Sequence, residues 1–232
     1  MAKKVVKRLR VADKKARSET FFPNEIFELK HQASSFEFYP FPEPMLEGKV
    51  ILIKKFFSDK ISQALRSSFS SPGIMELHYQ KGTKEYAERI NDRLTTQNAE
   101  IAQILWERLL KCLRQDDYVM QELGFGQAKG LNPQIRAYRY EKGHKFAKHY
   151  DSSVVVSGIG SSRWTLLVYL SGGDDLVGGD TVFYAPHTGE ATNIHPQTGL
   201  ALLHKHGDDC LLHEAQVVSN GAKWVLRSDV VF

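Results

Sequence analysis

Residues 144–151 read HKFAKHYD, two histidines and an aspartate close together. In an extended chain alternate side chains share a face. His149 and Asp151, separated only by Tyr150, then point the same way. An imidazole beside a carboxylate supplies two ligands for a divalent metal, and a third has to come from a distant part of the chain. His204, His206 and His213 are the candidates, all within LLHKHGDDCLLHEAQ. Spacing separates them if the metal works with an anionic co-substrate, because that anion needs a cation nearby. Ten residues beyond His213 lies Lys223, whereas the same interval from His204 reaches Glu214 and from His206 reaches Gln216. A turn at residues 219–221 (SNG) would place His213 on one strand and Lys223 on the return strand, both facing one cavity.

Two imidazoles and one carboxylate on one face of an iron leave coordination positions open. A chelating keto acid and O2 need those positions, and four histidines or cysteines around zinc would close them.

These residues must be held by strands. From about residue 133 onward, short β-branched and aromatic runs alternate with Gly, Asp and Ser turns: QIRAYRY, RWTLLVYL, DTVFYA, LALLH and KWVLRSDVVF among them. Many short strands at near-regular spacing predict a sandwich or barrel. Upstream, KVILIKKFF (49–57) has strand composition, and Ser58 or Asp59 can cap a helix that SPG (71–73) ends. The stretch from about 84 to 115 reads as helix, with Ile90, Leu94, Ile101, Leu105, Leu109 and Leu113 at helical spacing. Residues 152–163 (SSVVVSGIGSSR) read as a mobile loop near the metal. The expected fold class is therefore α+β: a double-stranded β-helix (a cupin-like jelly roll) with helices packed on one sheet. Residues 1–45 form an N-terminal extension. Residues 46–232 form the main domain, with helical support at 58–115 and the jelly-roll core from about 133.

Composition bounds the rest. The chain has 232 residues, 42% hydrophobic and 25% charged, enough for one filled core. No apolar run is long enough to span a bilayer, and the basic start MAKKVVKRLR lacks the apolar stretch of a secretory signal. Two cysteines, Cys112 and Cys210, make no disulfide framework. An intracellular setting, cytoplasmic or nuclear, is expected. The net charge is +4, and much of it sits in residues 3–17. Such a run suits a solvated tail, a nuclear-import signal or a contact with nucleic acid.

Taken in order, YRYEKGHKFAKHYD, RWTLLVYL, GGDTVFY, HPQTGLALLH and HEAQVVSNGAKW resemble the Fe(II)/2-oxoglutarate-dependent dioxygenases of the prolyl 4-hydroxylase type. The resemblance implies that Fe(II) binds His149, Asp151 and His213, and that Lys223 pairs with the distal carboxylate of 2-oxoglutarate. It further implies that Tyr140, Tyr169 and Thr181 supply hydroxyls to that co-substrate. Arg227, four residues after Lys223 on the same strand face, is the second choice for the anchor or a substrate contact. The implied activity is hydroxylation of a protein or peptide residue, prolyl first, with release of succinate and CO2. O2 is the second co-substrate, and ascorbate belongs to the implied cofactor set. Oxidation of a small metabolite, demethylation of a nucleic acid reached through the basic tail, and a non-enzymatic cupin-like binding module are the alternatives.

Overall fold

The computed structural model describes residues 21–30 and 39–232. The basic run at 3–17 lies outside them, so its proposed contacts are not addressed by the fold. The first elements are α1 (Asn24–Phe27), β1 (Glu43–Met45), β2 (Val50–Ile53), α2 (Asp59–Phe69), β3 (Glu76–Gln80), β4 (Arg89–Gln97), α3 (Ala99–Leu113) and α4 (Asp117–Gln121). Strands follow: β5 (Gly130–Leu131), β6 (Gln134–Tyr140), β7 (Lys145–His149), β8 (Val155–Val156), β9 (Gly160–Tyr169) and β10 (Val177–Gly178). The last six are β11 (Thr181–Tyr184), β12 (Ala191–Ile194), β13 (Ala201–Lys205), β14 (Leu212–Ala215), β15 (Val218–Asn220) and β16 (Lys223–Val231).

The two longer helices start where the sequence offers a cap. The Ser58 hydroxyl accepts the Ile61 amide ahead of α2, and the Asn98 side chain accepts the Ile101 amide ahead of α3. That second cap corrects the expected helix from 84 to 115. Helix begins only at Ala99, and Arg89–Gln97 is a strand. The apolar spacing of Ile90 and Leu94 fits helix, but pairing of β4 with β3 and β6 overrides it. The helical support at 58–115 is thus two helices interrupted by a β-hairpin. A second correction concerns residues 152–163. Val155 and Val156 pair with Ser161 and Gly160, so the expected loop is a hairpin leading into β9.

One antiparallel sheet carries the fold, in the order β1-β2-β13-β9-β16-β6-β4-β7-β14-β11-β12, with β3, β5 and β8 added on β4, β16 and β9. It curls until its two halves face each other. Phe183 on β11 meets His204 on β13 with ring centroids 5.5 Å apart, although these strands are far apart in the sheet order. This is the jelly-roll architecture expected from the strand pattern. The link between halves is short: β4 meets β7 through the pairs Arg89–Phe146 and Ile90–Lys145.

Strand alternation divides the apolar residues between two cores. On β16, Trp224, Leu226 and Val230 face the helices, together with Trp164, Leu166 and Val168 of β9 and Ile135 and Ala137 of β6. Ile101, Ile104, Leu105 and Leu109 of α3 pack against them. Phe22, Ile26 and Leu29, within the expected extension, are buried in the same cluster, and β1 pairs with β2. The opposite face of each strand points into the curl, placing Tyr138, Tyr140, Tyr169, Leu202 and Val225 inside. Because both faces of β16 are covered, KWVLRSDVV is a nearly continuous buried run.

Candidate active site

His149 closes β7, and Asp151 lies just beyond it, in a segment pinned by the turn that follows β13. The Asp151 amide donates to Cys210 Sγ at 3.3 Å, and the Asp151 carbonyl accepts the Gly207 amide at 2.9 Å. His213, on β14, is the direct cross-strand partner of His149, and the two rings are 4.3 Å apart. His149, Asp151 and His213 each offer a ligand atom, all within 4.8 Å of one another.

Backbone carbonyls fix which nitrogen of each ring is offered. His149 Nδ1 faces the Ala147 carbonyl at 2.8 Å, and His213 Nδ1 faces the Leu211 carbonyl at 2.9 Å. With Nδ1–H donating to a carbonyl, Nε2 keeps its lone pair for a metal. Burial, with the His213 imidazole beside it, pushes His149 down to about 3, and burial lowers His213 as well. Burial alone would raise Asp151, but the Arg227 guanidinium and the surrounding histidines hold it well below the usual carboxylate range. All three groups are therefore in the unprotonated forms that metal binding requires. A second set, His204, Cys210 and His213, is also close enough to share an ion. There Cys210 Sγ lies 3.9 Å from His213 Nδ1, the nitrogen already turned to Leu211, and burial pushes the thiol up to about 11. The first set is the better metal site.

Lys223 reaches the same cavity from the other half of the sheet. This corrects the expected hairpin: β14 pairs with β7 and β11, whereas β16 pairs with β5, β6 and β9. His213 and Lys223 face each other across the curl rather than along a shared pair of strands. Lys223 is 2% exposed, and its Nζ donates to the Gly179 carbonyl at 2.6 Å and Thr181 Oγ1 at 3.1 Å. Tyr169 donates to Thr181 Oγ1 at 2.7 Å, and the Tyr140 ring lies 5.7 Å from Nζ. Gly179 has φ +72°, and a Cβ there would sit 3.0 Å from Val218, so the carbonyl position depends on glycine. Burial pushes Lys223 down to about 7 and drives the Tyr169 phenol up, keeping that hydroxyl a donor. A buried ammonium ringed by hydroxyls is a receptor for a carboxylate.

Residues 134–228 match the family described as the 2OG-Fe(II) oxygenase superfamily. That stretch is similar to the superfamily and contains all three candidate metal-site residues. Fe(II) and 2-oxoglutarate are the metal and co-substrate that this likeness implies. Among curated proteins none matches this chain in sequence. Solved structures share its fold at low identity. A viral collagen prolyl hydroxylase from Paramecium bursaria Chlorella virus-1 is 20% identical, with 78% of this chain and 95% of that one covered and a TM-score of 0.53. A Pseudomonas putida prolyl-4-hydroxylase is 14% identical over 79% and 93%, at a TM-score of 0.56. A Trichoplax adhaerens prolyl hydroxylase, solved with a hypoxia-inducible-factor peptide fragment, is 16% identical over 80% and 84%, at 0.57.

The cavity holds more than the sequence pointed to. It is lined by the three candidate metal-site residues, Lys223, Thr181 and Tyr140, and also by Arg89, Tyr138, Phe146, His204 and Arg227. Arg227 is committed to carboxylates: its Nη2 lies 2.9 Å from Asp151 Oδ2 and 3.3 Å from Asp229 Oδ1. Thr165 donates to the same Asp151 oxygen at 2.9 Å. Asp151 Oδ2 is therefore held by protein, while Oδ1 is the oxygen 3.6 Å from His149 Nε2. His204, which the ten-residue interval sets aside as third ligand, has its Nε2 3.7 Å from Asp151 Oδ2 and its ring 4.5 Å from that of His213. Its inward position follows from alternation with Leu202 on β13, a signal present in the sequence. Arg89 left no such signal, because its segment reads as helix.

Proposed function

We propose that this oxygenase hydroxylates a residue of a protein or peptide, with a prolyl ring as the first candidate, and that His149, Asp151 and His213 hold its iron. The observation that carries the assignment is the joint arrangement: two imidazoles with their Nε2 atoms free and one ionised carboxylate within 4.8 Å, in one cavity with a buried lysine. When bound, iron and 2-oxoglutarate would together let O2 turn a C–H bond into an alcohol, one oxygen atom ending in the alcohol and the other in succinate as CO2 is released.

The chain itself supplies position and charge. Lys223 and Thr181 anchor the distal carboxylate of 2-oxoglutarate, with Tyr169 holding the Thr181 hydroxyl in place. Tyr140 adds a hydroxyl-bearing wall to the cavity. Arg227 and Thr165 hold the second oxygen of Asp151 and so leave one oxygen for the metal. Phe146 stacks on His149 with ring centroids 3.6 Å apart and sets the plane of that ligand. Lys223 takes the anchoring role over Arg227 because its ammonium faces neutral oxygens, whereas Arg227 already faces two carboxylates. The prolyl preference rests on the likeness to solved prolyl hydroxylases and on the ordered motifs.

Anaerobic titration with Fe(II) and then 2-oxoglutarate tests the site. A visible metal-to-ligand charge-transfer band is expected in the intact protein and is lost in His149→Ala. A band of full intensity in the double variant His149→Ala/His213→Ala would reject the ligand assignment.

A further inference from the structure

The cavity holds one buried cation that neither the metal site nor the co-substrate anchor uses. Arg89, on β4, is 8% exposed and lines the cavity alongside the metal-site residues. Its guanidinium lies 4.4 Å from the centroids of both Tyr138 and Phe146, and Phe146 in turn stacks on His149. The hydrogen-bond partners it has are neutral. With its amide oxygen turned toward β6, Asn91 accepts from Arg89 Nε and Nη2 at 3.2 Å and from the Tyr140 hydroxyl at 3.1 Å. The Tyr138 phenol is the other partner. Among the described residues no ion pair includes Arg89; the Tyr140 and Tyr138 phenols beside it favour its charged form, while Arg227 and Arg93 repel it.

The other charges in the cavity are accounted for. Asp151 is shared between the metal site and Arg227, and Glu214 is taken by the Tyr184 hydroxyl; Asp229, outside the cavity lining, faces Arg227 and Arg136. Lys223 answers the distal carboxylate of 2-oxoglutarate. A buried guanidinium without an anion is unfavourable unless a ligand supplies one. Its planar fork, gripped between two rings, is suited to a carboxylate held by parallel N–H bonds.

We infer that Arg89 is a specificity-determining residue that binds a carboxylate of the substrate beside the carbon to be oxidised. The preferred substrate then carries a free carboxylate next to the target residue, as a free amino acid, a C-terminal residue or an acidic neighbour does. This deepens the proposed hydroxylase reading and depends on it.

The test loads intact protein anaerobically with Fe(II) and 2-oxoglutarate and titrates it with matched pairs: L-proline and L-prolinamide, Gly-Pro and Gly-Pro-amide, Gly-Pro-Glu and Gly-Pro-Gln. Binding is read from the shift of the charge-transfer band, and turnover from succinate released in air. In at least one pair the carboxylate member is expected to bind about tenfold or more tighter than its neutral twin. Arg89→Met should bring that ratio to within about twofold, and Arg89→Lys should restore part of it, since lysine keeps the charge but not the fork. Circular dichroism checks that both variants fold, and the paired comparison on the unaltered protein stands without them. Equal response to both members of every pair, silence from both included, overturns the inference. So does a preference that survives Arg89→Met, or a loss of 2-oxoglutarate affinity in that variant exceeding the loss of preference, which would make Arg89 a co-substrate contact. If the unaltered protein shows no charge-transfer band on loading, the hydroxylase reading itself fails and takes this inference with it.

Discussion

Lys223→Met separates what this residue does for binding from what it does to the fold. In the ligand-free protein the ammonium is buried without a carboxylate in hydrogen-bond contact, and burial pushes it from 10.5 down to about 7. That displacement corresponds to up to about 5 kcal/mol opposing folding. Between about pH 7 and 10.5 the unfolded chain binds the proton that the folded chain has released, so stability rises with pH across that window. The penalty is complete below 7 and gone above 10.5. Methionine fills a similar volume without charge but leaves the Gly179 carbonyl without its donor, at about 1–3 kcal/mol. Thr181 Oγ1 still accepts from Tyr169. The balance is a net stabilisation of up to about 2–4 kcal/mol, or a Tm increase of up to roughly 4–16 °C for a chain of this size. Thermal melts without 2-oxoglutarate at pH 6 and at pH 10 should show the variant ahead at pH 6 and the gap narrowing at pH 10. Adding 2-oxoglutarate should reverse the order, because the variant leaves the co-substrate's distal carboxylate buried and unpaired, weakening binding by about a hundredfold or more. A variant that melts below the parent at pH 6, or one that 2-oxoglutarate stabilises as much as the parent, would refute the reasoning.

Other perturbations address different parts of the site. His149→Ala and Asp151→Ala should each abolish succinate formation from 2-oxoglutarate while thermal melts still show a cooperative fold. Thr165→Val removes the hydroxyl that holds Asp151 Oδ2. Fe(II) affinity should fall about tenfold, the low end for a residue behind a metal ligand, as read by metal titration. Arg227→Met withdraws the cation between Asp151 and Asp229, the latter 1% exposed. Urea unfolding should register a loss of about 3 kcal/mol or more, partly recovered in Arg227→Lys. Leu105→Ala, in the helix-facing core at 1% exposure, should lower stability by about 2–5 kcal/mol without altering the 2-oxoglutarate requirement of the folded enzyme.

Legibility followed the range of the interactions involved. The caps at Ser58 and Asn98 are local hydrogen bonds, and the ends of α2 and α3 follow them. The alternation of β16 puts Lys223, Val225 and Arg227 on one face whatever the strand pairs with. Residues 89–97 read as helix because two apolar residues at helical spacing outweigh strand propensity until β3 and the remote β6 are in place. Arg89 was lost with them. The expected β14–β16 hairpin failed for the same reason: a turn at 219–221 suggests a hairpin, but β15 pairs with β10 and β16 enters the other half of the sheet.

By itself the sequence determined the chemistry available: His149 and Asp151 one residue apart, a histidine and a lysine later in the chain, and strands enough to enclose them. Residue type and period-two alternation are local properties, so they need no knowledge of the fold. Only the tertiary structure decided that His213 sits opposite His149, that Lys223 approaches from the far wall, that Arg227 is occupied by Asp151 and Asp229, and that Arg89 faces the cavity with no acidic partner among the described residues. Those outcomes depend on how the sheet curls and on which charges meet inside it, and both are set by pairings between segments far apart along the chain.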